Sequence, residues 1–280
     1  MEQIEKIKRW ALGRPGISAL ILSGSLAGRG KKDELSDYDI AIYGNDFSFI
    51  GDDKWLLEIG DYCICIHAHF ELMGHTIPSR LTIFDPYCKV DFSFHPLQLL
   101  EELTKKLPWE YEMGYQVLLD KNGLAQRLPP PSYKNPVLEK PTIRDFQRNE
   151  NEFWFETYHV AKYLRRGDLW TVKFRDWSAK ENLRQMMEWN QASRVKWKLS
   201  VKDCGKGMEE WIDRKVWKNL FSCFGDFDAQ DSWKALKTTI KLYRKLTRET
   251  AAVLGFPYNQ KADAAISEFV KESKKVLNFR

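Results

Sequence analysis

Asp37 and Asp39 are separated by one residue, Tyr38, at the entrance to an apolar run over residues 40–43. Acids spaced i, i+2 on a strand point to the same face. Two bare carboxylates that close repel one another, so a cation belongs between them. Hard oxygen donors suit a divalent ion such as Mg2+. Upstream, an apolar run over residues 17–22 reads as a buried strand that ends in Ser23-Gly24-Ser25. A small Gly-Ser turn of this kind holds phosphate through backbone and hydroxyl donors. A third acid, Asp91, lies in Lys89-Val-Asp-Phe-Ser-Phe94, where Val90, Phe92 and Phe94 share one face and Asp91 takes the other. Three acids from two neighbouring strands facing one Gly-Ser turn fit a two-metal phosphoryl- or nucleotidyl-transfer site. The competing reading of Asp37 and Asp39, taken alone, is a solvated turn leading into an edge strand.

The elements that must position these groups follow from periodicity. Ile4, Ile7, Trp10 and Ala11 fall at helical spacing over residues 2–12, and Arg14-Pro-Gly16 ends that helix. Residues 51–60 read as a short helix, 62–67, 80–84 and 89–94 as strands, 97–103 as a helix and 115–119 as a last strand. Five prolines then fall between residues 127 and 141, a composition that makes stiff, extended chain. The predicted organisation is therefore a domain over residues 1–128, a proline-rich linker over 129–141 and a second domain over 142–280. Thr142 is a suitable N-cap. Helices are predicted near 142–165, 168–193, 207–224, 231–254 and 260–277, broken at Gly167, Gly205, Gly225 and Gly255-Phe-Pro257. The fold class is α+β: a mixed sheet with flanking helices, followed by an all-α bundle.

The 280 residues include 11 Trp, enough aromatic and aliphatic material for a substantial core. The formal net charge of +5 comes from 44 basic and 39 acidic residues. So small an excess, without a basic stripe, argues against a dedicated nucleic-acid binder. No apolar run approaches the roughly 20 residues of a membrane span, and no signal-peptide core is evident. Five cysteines without framework spacing read as reduced thiols, and the expected location is cytoplasmic.

Four further constellations bear on chemistry. Lys173, Asp176 and Lys180 fall on one helical face, either a solvated charged face or a source of cations for a nucleotide phosphate. Lys206, flanked by glycines, is another such cation. Glu152, Glu156 and His159 share a helical face that reads as an exposed acidic surface or as a wall for a cationic ligand. Cys63-Ile-Cys-Ile-His-Ala-His69 has metal-binding residue types, but four alternate positions along one straight strand do not close a tetrahedron around zinc. The reading preferred there is core cysteines and a histidine pair at a strand end. The tryptophans of the second domain read as helix-packing residues, one or two of which stack on a base or cover sugar rings.

Gly-Ser, then Asp-x-Asp, then a later strand Asp resembles the nucleotidyltransferase signature of the DNA polymerase β superfamily. Leu119-Asp-Lys-Asn-Gly123, Asn151-Glu-Phe-Trp154, Leu169-Trp-Thr-Val-Lys-Phe-Arg-Asp-Trp177, Met186-Met-Glu-Trp189 and Gly207-Met-Glu-Glu-Trp211 resemble, more narrowly, the streptomycin (aminoglycoside 6-) adenylyltransferases. That resemblance spans nearly the whole chain. It implies a polymerase-β-like domain followed by a helical substrate-binding domain. It also implies Mg-dependent transfer of AMP from ATP to an aminoglycoside hydroxyl, with pyrophosphate released. Asp37, Asp39 and Asp91 would then hold two Mg2+ ions, with Asp91 as ligand, as general base, or as both. Gly24 and Ser25 would hold the phosphates. Leu26 stands where many members carry Arg, so Arg29, or Lys173, Lys180 or Lys206 reaching across the domain cleft, is left to meet the triphosphate. Streptomycin carries two guanidinium groups, which pair with carboxylates, so Glu152 first and Glu156 second are the acceptor-binding candidates. A lincosamide, another drug or a protein hydroxyl is an alternative acceptor. A non-catalytic nucleotide-binding regulator and a template-free RNA nucleotidyltransferase are the rival functions.

Overall fold

The computed structural model describes residues 2–30 and 32–277. The chain divides into two units, Met1–Pro136 and Val137–Arg280.

The first unit is built on a six-stranded sheet of order β3-β4-β5-β2-β1-β6. In chain order it runs α1 (Glu2–Leu12), β1 (Ile17–Ser23), α2 (Gly24–Ala27), β2 (Tyr38–Gly44), β3 (Tyr62–Leu72), β4 (His75–Phe84), β5 (Cys88–Pro96), α3 (Leu97–Leu103), α4 (Trp109–Glu112) and β6 (Gln116–Asp120). β2 and β5 pair in parallel and every other pair is antiparallel. The central strands are buried on both faces, which is why they read as unbroken apolar runs. Leu20, Leu22, Ile40, Ile42, Val90, Phe92 and Phe94 pack on one face with Ile7, Trp10 and Trp55. Ala19, Ile21, Ala41 and Tyr43 pack on the other with Leu99, Leu100 and Tyr111. The side chains of Asp39 and Asp91 belong to this second face by strand alternation.

Two sequence expectations change. Residues 51–60 form no α-helix; the segment holds short 3-10 turns at Ser48–Gly51 and Lys54–Glu58. The predicted strands over 62–67 and 80–84 are the inner halves of a long hairpin that extends to Leu72 and back from His75. Its outer half is largely exposed and carries Pro78, features that disguise a strand. The turn is Met73-Gly74 with both φ positive, at 50° and 82°, the backbone of a tight hairpin without the usual Asn-Gly pair.

The second unit is helical: α5 (Ile143–Arg166), α6 (Leu169–Arg194), α7 (Met208–Trp211), α8 (Arg214–Leu220), α9 (Ala229–Leu254) and α10 (Gln260–Leu277). Thr142 caps α5 in a reciprocal box with Asp145, and Gly167 ends it in the left-handed region. The helix predicted over 207–224 is interrupted, because the Asp213 carboxylate accepts from the backbone N–H of Lys215 and Val216 and starts α8 anew. Phe153 and Tyr243 stack with ring centroids 3.4 Å apart, joining α5 to α9. The Tyr243 hydroxyl donates to Asn149 Oδ1 at 2.7 Å, and Asn149 Nδ2 donates to Gln185 Oε1 at 2.9 Å. This buried chain ties three helices together. Tyr243→Phe keeps the ring and leaves Asn149 Oδ1 without its donor, so it is expected to destabilise the protein by ~1–3 kcal/mol in urea unfolding. A change under ~0.3 kcal/mol would mean the hydroxyl contributes nothing net.

Candidate active site

The parallel register of β2 and β5 sets Asp39 beside Asp91, and the antiparallel register of β1 and β2 sets Ser23 beside Asp39. β1 therefore delivers its terminal Gly-Ser turn directly over the acids. Gly24 has φ +66°, and a Cβ there would overlap the Asp39 carboxylate. Only glycine meets both demands without strain. The short helix α2 follows at once, so Ser25 stands exposed at the turn.

Asp37 lies one residue before the β2 ladder, on the approach to the same edge. A lysine joins it to Asp91: Lys89 Nζ lies 2.7 Å from Asp37 Oδ2 and 2.8 Å from Asp91 Oδ2. Partial burial works against the ammonium, but hydrogen bonds to Asp37 and Asp91 outweigh it and hold its pKa above the usual lysine range. Asp91 Oδ1 is buried and has no hydrogen-bond partner among the described residues. Farther along the same face His95 is buried against Tyr43, and burial pushes its pKa down to about 3. It adds no positive charge at neutral pH. Two carboxylates, Asp37 and Asp91, share the one Lys89 ammonium, and one Asp91 oxygen lacks a partner among the described residues. Converging hard oxygen donors of this kind fit divalent cations of the Mg2+ class.

Leu26 and Arg29 divide between core and surface. Leu26 packs against the core of α1, β1 and β2, whereas Arg29 is exposed and lies with its guanidinium 3.9 Å from the Tyr133 ring centroid.

The profile of the streptomycin adenylyltransferase family matches residues 1–273. The chain belongs to that family. It is therefore an adenylyltransferase, with a mixed six-stranded sheet in its first unit and helices in its second. It is similar to proteins named aminoglycoside 6-adenylyltransferase in Bacillus subtilis (27% identity, covering 92% of each chain) and Campylobacter jejuni (27%, covering 87% of this chain and 84% of the relative). The Staphylococcus aureus relative of the same name is 22% identical over 92% of each chain. Among solved structures, the aminoglycoside 6-adenyltransferase of Bacillus subtilis covers 98% of each chain at 25% identity, with a TM-score of 0.48.

In the helical unit of this family member, Lys173 Nζ donates to the Gly225 carbonyl at 2.7 Å. Lys180 is only 5% exposed and pairs with Asp176 at 2.6 Å, one turn back on the same helix. Lys206 is exposed. Glu156 pairs with Arg175 at 3.1 Å, while Glu152 is exposed. A cavity of about 630 Å³ lies between α6, α7 and α8. Its aromatic walls are Trp177, Trp217, Phe221 and Phe224, with Arg184 and Glu209 at its lining. Aromatic walls with a few charged groups are the ordinary composition of a small-molecule pocket.

The Cys-His strand behaves differently from its expected form. Cys63 is exposed, and His67 and His69 lie mid-strand in β3. Asp53, brought in from the preceding loop, comes within reach of Cys65 and His67. Both Asp53 oxygens are already committed, Oδ2 to His67 Nε2 at 2.7 Å and Oδ1 to Arg80 Nε at 3.0 Å. A buried guanidinium on the same carboxylate opposes a dication. The cluster is an ion network anchoring the loop to the hairpin.

Lys89 is the residue that reading the sequence passed over. Its signal was present: Lys89 and Asp91 alternate on β5 and so share a face.

Proposed function

We propose that this protein transfers AMP from ATP to a hydroxyl of an aminoglycoside, with streptomycin as the first acceptor to test, and releases pyrophosphate. The observation that carries the reading is the convergence of Asp37 and Asp91 on one ammonium, with Asp39 beside Asp91 in the sheet and against the Gly24 turn. The shared name of the three relatives supports the acceptor class.

Asp37, Asp39 and Asp91 are assigned as ligands of two Mg2+ ions, which when bound would neutralise the phosphates and activate the acceptor hydroxyl. Every other part of the reaction falls to side and main chain. The Gly24 and Ser25 amides and the Ser25 hydroxyl hold the terminal phosphates, so that the α-phosphorus is presented in line to the acceptor. Asp91 is assigned to accept the acceptor hydroxyl's proton as well as to bind a cation. Arg29 is the cation assigned to the departing pyrophosphate. Lys206 is preferred as a second phosphate contact over Lys173 and Lys180, whose ammonium groups already have partners. Glu152 is assigned to a guanidinium or ammonium group of the acceptor, ahead of Glu156, which Arg175 already neutralises.

The test is an acceptor panel with labelled ATP. AMP is expected to appear on streptomycin, only when divalent metal is present. Transfer to a lincosamide and not to any aminoglycoside would overturn the acceptor assignment. ATP binding in calorimetry without turnover on any acceptor would favour a nucleotide-binding regulator.

A further inference from the structure

Lys89 is not part of the three-acid motif, yet its ammonium occupies the point where two of those acids converge. Asp37 and Asp91 are 54 residues apart in sequence, and each presents Oδ2 to the same nitrogen. One acid lies at the mouth of β2 and the other inside β5, so no shared backbone segment holds them together. Without a cation between them, their mutual repulsion would drive the exposed member, Asp37, outward into solvent. Lys89 supplies that cation from two residues before Asp91, on the same strand face.

We propose that Lys89 is a positioning residue. It serves as a resident counter-ion that keeps Asp37 and Asp91 in ligand geometry before the metal–nucleotide complex arrives, and it yields their Oδ2 atoms to that complex. The inference rests on the three-carboxylate reading of the site. An ammonium needs roughly 2.8 Å to each oxygen, whereas Mg2+ needs about 2.1 Å with near-octahedral donors. Both cannot occupy the same point between these oxygens. The lysine must therefore release at least one when a divalent ion binds them. Its stem is long and its side chain is 38% exposed, so a rotation toward solvent is open to it. The arrangement carries an opposing pair of effects. Lys89 preorganises the carboxylates, and it competes with the ion for them.

The two effects separate in metal-binding and stability measurements that need no turnover. In the full chain, Lys89→Met keeps the stem and removes the charge. Without metal, its melting temperature is expected to fall below that of the parent. Added Mg2+ is expected to restore the difference, while raising the parent's transition less. Direct titration with Mn2+, followed by electron paramagnetic resonance, is expected to give Lys89→Met a dissociation constant on the order of ten-fold lower, because no ammonium is displaced. Lys89→Arg, which keeps the charge, is expected to hold the metal-free melting temperature near that of the parent. This variant guards against a merely structural effect of altering the side chain. Equal Mn2+ affinity and equal metal-free stability in the parent and Lys89→Met would overturn the role of Lys89 and leave the carboxylate site standing. Weaker Mn2+ binding by Lys89→Met would also overturn the displacement. A parent that binds no Mn2+ at all would overturn the metal site itself, and the inference with it.

Discussion

Asp39→Asn is expected to lower AMP transfer by about 10³-fold or more while leaving the melting temperature within a few degrees of the parent. Asn has nearly the shape of Asp, so the Gly24 turn packed over this side chain keeps its neighbour. The change replaces an anionic oxygen with an amide donor. That donor repels cations and offers nothing to a metal at one of the two positions. Stability is expected to change little, because the near-isosteric side chain leaves the pairing of β2 with β5 intact. Activity and stability therefore move independently, which separates a lost ligand from a lost fold. The measurement is labelled-ATP transfer at saturating Mg2+ alongside thermal unfolding. Activity within an order of magnitude of the parent would remove Asp39 from the catalytic set.

Gly24→Ala is expected to cost activity about 10²-fold and stability about 1–2 kcal/mol. Two separate penalties act. An alanine at φ +66° sits in the left-handed region. Its Cβ also overlaps the Asp39 carboxylate, so either the turn opens or the carboxylate swings away. Displacements of about 1 Å at a reacting centre are enough for a loss of this size. Gly51→Ala provides the control, since a Cβ there meets nothing within 4 Å and φ is not positive. It is expected to leave both transfer and melting temperature unchanged. Equal activity in Gly24→Ala and Gly51→Ala would mean that the turn does not shape the site.

Local periodicity carried a large part of this structure. The first strand, its Gly-Ser end, the Asp-Tyr-Asp entry to β2 and the in-and-out alternation around Asp91 are all set within a few residues. They were legible for that reason, as was α10, and as were α5, α6 and α9, whose caps lie beside them in sequence. The hairpin of β3 and β4 was half legible, because its outer part carries a proline and little apolar alternation. The break before α8 was hidden because an aspartate cap can sit inside a helical pattern without disturbing the spacing of its apolar residues.

Charge partnership between distant segments, and its burial, were decided by the tertiary structure. The sequence sets Lys180 one helical turn from Asp176, and packing decides that this pair is buried. It shows Glu152 and Glu156 on one helical face, and α6 brings Arg175 to one of them. It shows a row of cysteines and histidines, and the loop before β3 brings Asp53, and β4 brings Arg80, into the row. At the active site it displays three acids but not the ammonium between two of them. Strand alternation is a property of neighbouring residues, whereas the meeting of Asp37, Lys89 and Asp91 depends on the register of two strands distant in sequence. By itself the sequence determined which groups could bind metal and phosphate. Long-range pairing determined which of them converge, because opposite charges find each other through space rather than along the chain.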